Sequence, residues 1–256
     1  MKKAVILLLI ILPVIKAAAQ LPDPEEIMNK SRELSLVGAL SANITLTITE
    51  KNGSNRLRTI SMSTKSYQEG VEKRFLKFLD PPDVRGTSML IVDNKVAADE
   101  MWIYLPALKK TRRIVSTEKG KSFMNSEFSN SDMASPPLSD YVYKHTPESG
   151  KNNQYIIESI PADEDKADEY GYTRKISYIV MDSYQISRME FYNFDNELFK
   201  IIEIKGIHVF AEGRYTISNM LATNLLTNRK SEIKMTNISE SAKVDDSVFT
   251  LQNLER

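Results

Sequence analysis

Side chains able to carry chemistry are few and scattered along this chain of 256 residues. The two histidines, His145 and His208, stand on separate segments, and neither belongs to an HExxH, a nucleophile elbow or any other motif with mechanical meaning. Carboxylate pairs such as Asp182 with Glu190 have the chemistry for glycoside hydrolysis, but nothing in the spacing selects them over the other acids. Nine glycines dispersed at turns offer no phosphate cradle, and zero cysteines exclude disulfides and thiolate metal sites. The acidic run Asp163, Glu164, Asp165, Asp168 and Glu169 lacks the offsets, central Gly and terminal Glu of a calcium loop, and reads as a solvated turn. No catalytic residue, metal ligand or cofactor is therefore assigned. What remains is a cluster of cations, Lys109, Lys110, Arg112 and Arg113. A guanidinium pair matches phosphate bidentately, which suits an anionic headgroup or an acidic partner at a cavity mouth. The alternative is a solvated strand end pairing with Glu118, Glu127 or Asp132, where exposed pairs contribute only about 0–1 kcal/mol.

The cluster follows an apolar segment, Met101 to Leu105, whose Trp102 and Tyr104 alternate with Met101, Ile103 and Leu105. Both faces are apolar, which predicts a strand covered on both sides. Pro106 ends it, and a Gly120 turn leads into a loop holding Phe123, Met124 and Phe128. Elsewhere a period of two dominates. Ile44, Leu46 and Ile48 alternate with Asn43, Thr45, Thr47 and Thr49, and Asn52-Gly53 predicts a hairpin turn back into Leu57 to Thr64. Strands are also predicted over Val71 to Leu79, Thr87 to Val92, Gln154 to Ile160, Arg174 to Met181, Tyr184 to Phe191, Leu198 to Lys205, Tyr215 to Met220 and Arg229 to Thr236, with Gly206 among the turns. No helical period long enough for a parallel crossover separates them. The expected fold is mainly β with a few helices (α+β): one large curled antiparallel sheet, apolar on its concave face and polar on the other. Leu21 to Leu36 predicts an amphipathic helix with Asp23 as N-cap and Pro24 at its first position. Ser129 to Gly150 predicts a lid with one short helix near Asp132, and Val244 to Leu254 a tail against the sheet edge.

The N-terminus reads as a secretory signal peptide, residues 1–19: Lys2 and Lys3, an apolar run from Ala4 to Ile15, and a small-residue site at Ala17-Ala18-Ala19. No cysteine follows that could accept a lipid anchor. Residues 20–256 form the expected single domain, long enough to bury roughly 70–75% of its unfolded surface. The whole chain balances 34 basic against 34 acidic residues, and losing Lys2, Lys3 and Lys16 tips it slightly acidic. That balance argues against nucleic acid as a partner.

The order of an aromatic strand, Tyr-Leu-Pro, two basic pairs, then Ser-Phe-Met-x-Ser-acid-Phe and a later Asp-Met resembles the LolA-like family of outer-membrane lipoprotein-sorting proteins. The matching positions are Trp102, Tyr104, Leu105, Pro106, Arg112, Arg113, Ser122, Phe123, Met124, Ser126, Phe128 and Asp132. Asn125, Glu127 and Asn130 depart from the pattern, standing where typical relatives have Gly, Asp and an aromatic. The resemblance implies an open half-barrel closed by the N-terminal helix and the lid loop. It further implies a monomeric periplasmic carrier, not an enzyme, that takes lipid or lipoprotein acyl chains from an inner-membrane transporter toward an outer-membrane acceptor. Ile44, Leu46, Ile48, Trp102, Tyr104, Phe123, Met124 and Phe128 are the expected ligand-binding residues, with Arg112 and Arg113 meeting a headgroup or partner. A structural or interaction protein of the envelope, its sheet filled by its own side chains, is the competing expectation, and an enzyme acting on lipid or glycan a third.

Overall fold

The computed structural model describes residues 21–95, 97–240 and 244–256; the expected signal peptide lies outside the described residues. Helix α1 (Pro24–Ser35) starts where the sequence predicts. Asp23 caps it by accepting from the Glu25 and Glu26 amides at 2.8 and 3.3 Å, and those two acids face the positive end of the helix dipole.

All remaining large elements are strands: β1 (Ala39–Thr49), β2 (Asn55–Ser66), β3 (Glu72–Asp80), β4 (Ser88–Asp93), β5 (Glu100–Leu105), β6 (Lys110–Arg113), β7 (Tyr141–His145), β8 (Gln154–Pro161), β9 (Arg174–Val180), β10 (Ile186–Tyr192), β11 (Leu198–Val209), β12 (Tyr215–Asn224) and β13 (Arg229–Glu240). They form one antiparallel sheet in the order β6-β5-β4-β3-β2-β1-β13-β12-β11-β10-β9-β8-β7. Each strand pairs with its sequence neighbour except at β1, where β13 closes against the opposite side, and at the two edges. The sheet is thus two meanders joined by the β1–β13 pair, and it is not closed into a barrel. No helix among the described residues is long and apolar enough to cross a membrane.

Four departures from the sequence expectation stand out. The basic cluster does not end the strand region: Lys110–Arg113 is itself edge strand β6, paired with β5. Strand β7, within the segment expected to be a lid, is the other edge. Strand β6, KTRR, lacks an apolar period yet suits an edge because its charge discourages pairing with a second molecule, whereas β7, YVYKH, is a short run set in a Pro- and Ser-rich segment. The acidic run is not a solvated turn but helix α3 (Glu164–Tyr170), capped by Asp163 through the Lys166 amide. It crosses the short helix α2 (Ser116–Lys119) where a Cβ on Gly120 would approach the Gly171 nitrogen to 2.9 Å, so only two glycines permit the contact. Lys119 and Glu169 seal that crossing with a buried pair at 2.5 Å. Gly206 marks a bulge inside β11, where the register with β12 shifts, and not a turn.

Both faces of the sheet carry apolar clusters. The concave face holds the main core, from Leu40, Leu46 and Ile48 across Ile60, Phe78 and Met101 to Phe123 and Phe128. At the far end α1 adds Ile27 and Met28 over Tyr155, Ile157 and Ile179. On the convex face the C-terminal tail, ending in helix α4 (Leu251–Leu254), lays Phe249 and Leu254 over Phe75 and Leu90.

Candidate functional site

The concave face is divided into a filled half and an open half. The loop that follows α2 fills the first. Its Phe123 and Phe128 sink into the sheet, and the turn between them places Met124 and Asn125 in the left-handed region at φ 49° and 68°. Asn tolerates that region better than other non-glycine residues, so Asn125 can hold a turn where the resemblance expects Gly. The turn is fastened by the Phe123 amide to the Phe128 carbonyl at 2.7 Å and by Ser126 Oγ to the Phe123 carbonyl at 2.7 Å. Arg229 ties it to β13, meeting Glu127 at 2.8 Å and the Asn125 carbonyl at 3.0 Å. A loop so thoroughly bonded to the sheet is a plug.

Between this plug and α1 lies a cavity of about 330 Å³, at the lower end of the range for small-molecule pockets, about 300–1,000 Å³. Its floor comes from seven strands at once: Ile44 on β1, Met62 on β2, Leu76 on β3, Met189 and Phe191 on β10, Ile202 on β11, Met220 on β12, Ile233 and Met235 on β13. These positions share one face because side chains alternate along each strand and the cross-strand register keeps them aligned, Ile44 facing Met235 and Met220 facing Ile233. The roof is α1 through Met28, its C-cap Leu36 and the segment Met133 to Leu138.

Polar groups stand in this wall as well. Arg74 pairs with Glu72 at 2.5 Å, approaches Asp93 at 3.6 Å and donates to the Met133 carbonyl, clamping the roof to β3. Arg32 on α1 donates to the Pro136 carbonyl at 2.9 Å, clamping roof to roof. Asp132 meets Lys200 at 2.6 Å, and both side chains are buried. The Tyr141 and Tyr172 hydroxyls share a hydrogen bond at 2.8 Å, and burial holds both phenols well above their ordinary pKa. Beneath the roof, burial pushes the Asp93 carboxyl up to about 6 against the pull of Arg74, and burial followed by the Asp93 charge pushes Asp99 up to about 7. Lys175 completes the set; burial pushes its ammonium down to about 8, with Asp132 opposing and Lys200 reinforcing the shift. Among the described residues no group of acids and histidines could hold a metal ion.

Of the residues expected to bind ligand, Ile44 and Phe123 line the cavity. Leu46, Ile48 and Phe128 share the concave face but are fully buried in the filled half, and Met124 packs against that same core. Trp102 and Tyr104 are on the convex face beside Phe249 and Leu254, because Met101 and Ile103 take the concave side of β5. Arg112 and Arg113 project from exposed edge strand β6, where Arg112 pairs with Glu118 at 2.6 Å and Arg113 approaches Glu100 at 3.7 Å. The pairing with Glu118 is the alternative that the sequence offered, and neither arginine borders the cavity. The cavity cations, Arg32, Arg74 and Lys175, were not singled out from sequence. Alternation does not mark them: Arg32 is on a helix, Lys175 has Thr173, just before β9, and Ser177 beside it on its own face, and Arg74 follows Glu72 on its face of β3.

An open antiparallel half-barrel with a helix and loop over its concave face defines the LolA-like class, and three solved structures share the arrangement. A domain from Vibrio parahaemolyticus named for outer membrane lipoprotein sorting superposes with a TM-score of 0.82 at 24% identity, over 91% of this chain and 98% of that one. A DUF1329 family protein from Desulfovibrio piger gives 0.81 at 23% identity, over 91% and 100%. A LolA superfamily protein from Nitrosomonas europaea gives 0.69 at 14% identity, over 90% and 98%. No curated protein matches the sequence. A family model described as uncharacterized protein-like matches residues 70–256, and the chain belongs to that family, whose fold is LolA-like. The resemblance read from Trp102 through Asp132 holds at the level of the fold.

Proposed function

We propose that this protein is a periplasmic, non-enzymatic carrier of acyl chains. In this reading residues 1–19 direct export and are removed after Ala19. Residues 20–256 act as one monomeric domain that receives lipid or lipidated protein from an inner-membrane donor and delivers it to an outer-membrane acceptor. The observation that carries the reading is the cavity of about 330 Å³ left open between plug and helix. At about 30 Å³ per methylene-sized group it has room for roughly ten. Each methylene removed from water contributes about 0.8 kcal/mol, so a chain filling it gains about 8 kcal/mol before the cost of association. That suits one alkyl chain, or the inner part of a longer one. Methionines at 28, 62, 189, 220 and 235 give the wall a surface that adapts to different chain shapes. The structural names of the Vibrio and Nitrosomonas neighbours point the same way.

The competing reading, a sheet filled by its own side chains, draws on the plug, which occupies the Leu46 and Ile48 half of the same face. Fluorescent-lipid uptake separates the two. Saturable uptake by the purified protein, competed by unlabelled alkyl lipid, is expected. Absence of uptake across chain lengths would leave the structural reading in its place.

A further inference from the structure

The proposed carrier role leaves open which end of a lipid the cavity recognises, and an uncompensated charge in its wall bears on that question. Strands β9, β10 and β11 present Lys175, Phe191 and Lys200 side by side, since Phe191 is the register partner of Lys175 on one side and of Lys200 on the other. The two ammonium groups are unequally served. Lys200 sits 2.6 Å from Asp132 and 4.2 Å from the Phe191 ring. Lys175, which lines the cavity, has no carboxylate within ion-pair distance and no hydrogen-bond acceptor among the described residues; the Tyr141 ring at 5.2 Å is its aromatic neighbour. Asp132 is nearer to Lys200 and hydrogen-bonded to it: the oxygen that meets that ammonium also accepts from the Ser129 amide at 2.7 Å, so its single charge is shared between two cations.

The other cations of the wall are engaged as well, Arg74 by Glu72 and Asp93 and Arg32 by the Pro136 carbonyl. Around Lys175 further polar capacity is unspent. Ser159, its register partner on β8, and Ser177, two residues along β9, are fully buried with hydroxyls that lack a partner among the described residues. A cation withdrawn from bulk water is costly unless a counter-charge approaches it, and buried hydroxyls left unpaired add to that cost.

We propose that Lys175 receives the anionic end of the bound amphiphile, a carboxylate or a phosphate monoester carried on a single alkyl chain that lies along Met189, Met220, Ile233 and Met235. This rests on the acyl-chain reading above and narrows it. With its pKa near 8 the ammonium remains mostly charged at neutral pH, so the cation is available to an anion entering the cavity. A charge-assisted hydrogen bond in a desolvated wall is among the stronger single contacts available, which makes the charged end, as well as the chain, a determinant of what is carried.

Calorimetric titration of the purified protein with dodecanoate, dodecyl phosphate and dodecanol, matched in chain and different in head, tests the assignment. Either anion should bind more tightly than dodecanol by about tenfold to a hundredfold, the span of a charge-assisted hydrogen bond. Which anion is tighter distinguishes a fatty-acid cargo from a phosphate-bearing one. Lys175→Met should erase the preference, so that neither anion binds more tightly than dodecanol to that variant, and Lys175→Arg should retain it. Equal wild-type binding of all three, a comparison that needs no variant to fold, overturns the assignment while leaving the carrier reading intact. So does a preference that survives in Lys175→Met. Failure of all three to bind overturns the carrier reading, and this one with it.

Discussion

Placing a glutamate in each half of the concave face should produce opposite failures. Leu46 and Met235 are both on the concave face, on neighbouring strands, yet Leu46 is 0% exposed in the core beneath the plug, whereas Met235 is only half-buried and borders the cavity. At Leu46 a carboxylate loses the leucine's burial, about 1.5–3 kcal/mol, and must be desolvated without a partner, which costs several kcal/mol more. Together these approach the whole stability of a typical domain, about 5–15 kcal/mol. At Met235 the same group reaches cavity water, so only part of a methionine's burial, about 1–2 kcal/mol, is forfeited. Thermal unfolding with fluorescent-lipid uptake reads both outcomes. Leu46→Glu should be unfolded or melt far below wild type. Met235→Glu should melt within several degrees of wild type and take up no lipid. A Leu46→Glu protein as stable as wild type, or a Met235→Glu protein that is equally unfolded, would refute the division into filled and open halves.

Three further outcomes follow from the geometry. Replacing Arg112 and Arg113 by Gln should change neither lipid uptake nor melting temperature appreciably, since both are exposed on an edge strand away from the cavity; a large loss of uptake would return the pair to the site. Lys119→Met should lower stability by about 3 kcal/mol in denaturant titrations by leaving Glu169 without its buried partner, and an unchanged midpoint would show that Lys166 alone suffices. Asp93 and Asp99 have folded pKa values raised to about 6 and about 7, so the folded protein holds protons that the unfolded chain releases near pH 4, and stability should fall as pH rises from about 4 to 7. Asp99→Asn keeps an acceptor for the Asn94 amide and should flatten that decline, raising the melting temperature at pH 8 more than at pH 4; parallel pH profiles would count against it.

The sheet was legible because alternation is a local signal, and most strands fall where apolar and polar residues take turns. Edge strand β6 was not, since its four residues carry charge and no apolar period, and β7 was not, since its five residues stand between Pro137 and Pro147 in a segment that reads as irregular. Helix α3 hid in an acidic run because its stabilisation is tertiary, through Glu169 to Lys119 and the Gly120–Gly171 contact. The site was half legible for a related reason. Parity places Ile44, Leu46 and Ile48 on one face, but only the position of the plug decides that the first borders a cavity and the other two do not. Trp102 and Tyr104 stood on a strand apolar on both faces, so parity could not choose the side on which they lie. Lys175 could be noticed only once Asp132 and Lys200, distant in sequence, had been seen to satisfy each other.

Mass spectrometry of organic extracts from the native protein, purified without detergent, tests the carrier account most directly. The account predicts a recovered amphiphile with one alkyl chain in stoichiometric amount, lost from the Met235→Glu protein. An extract free of alkyl compounds, from a protein that also fails to take up added lipid, would contradict it.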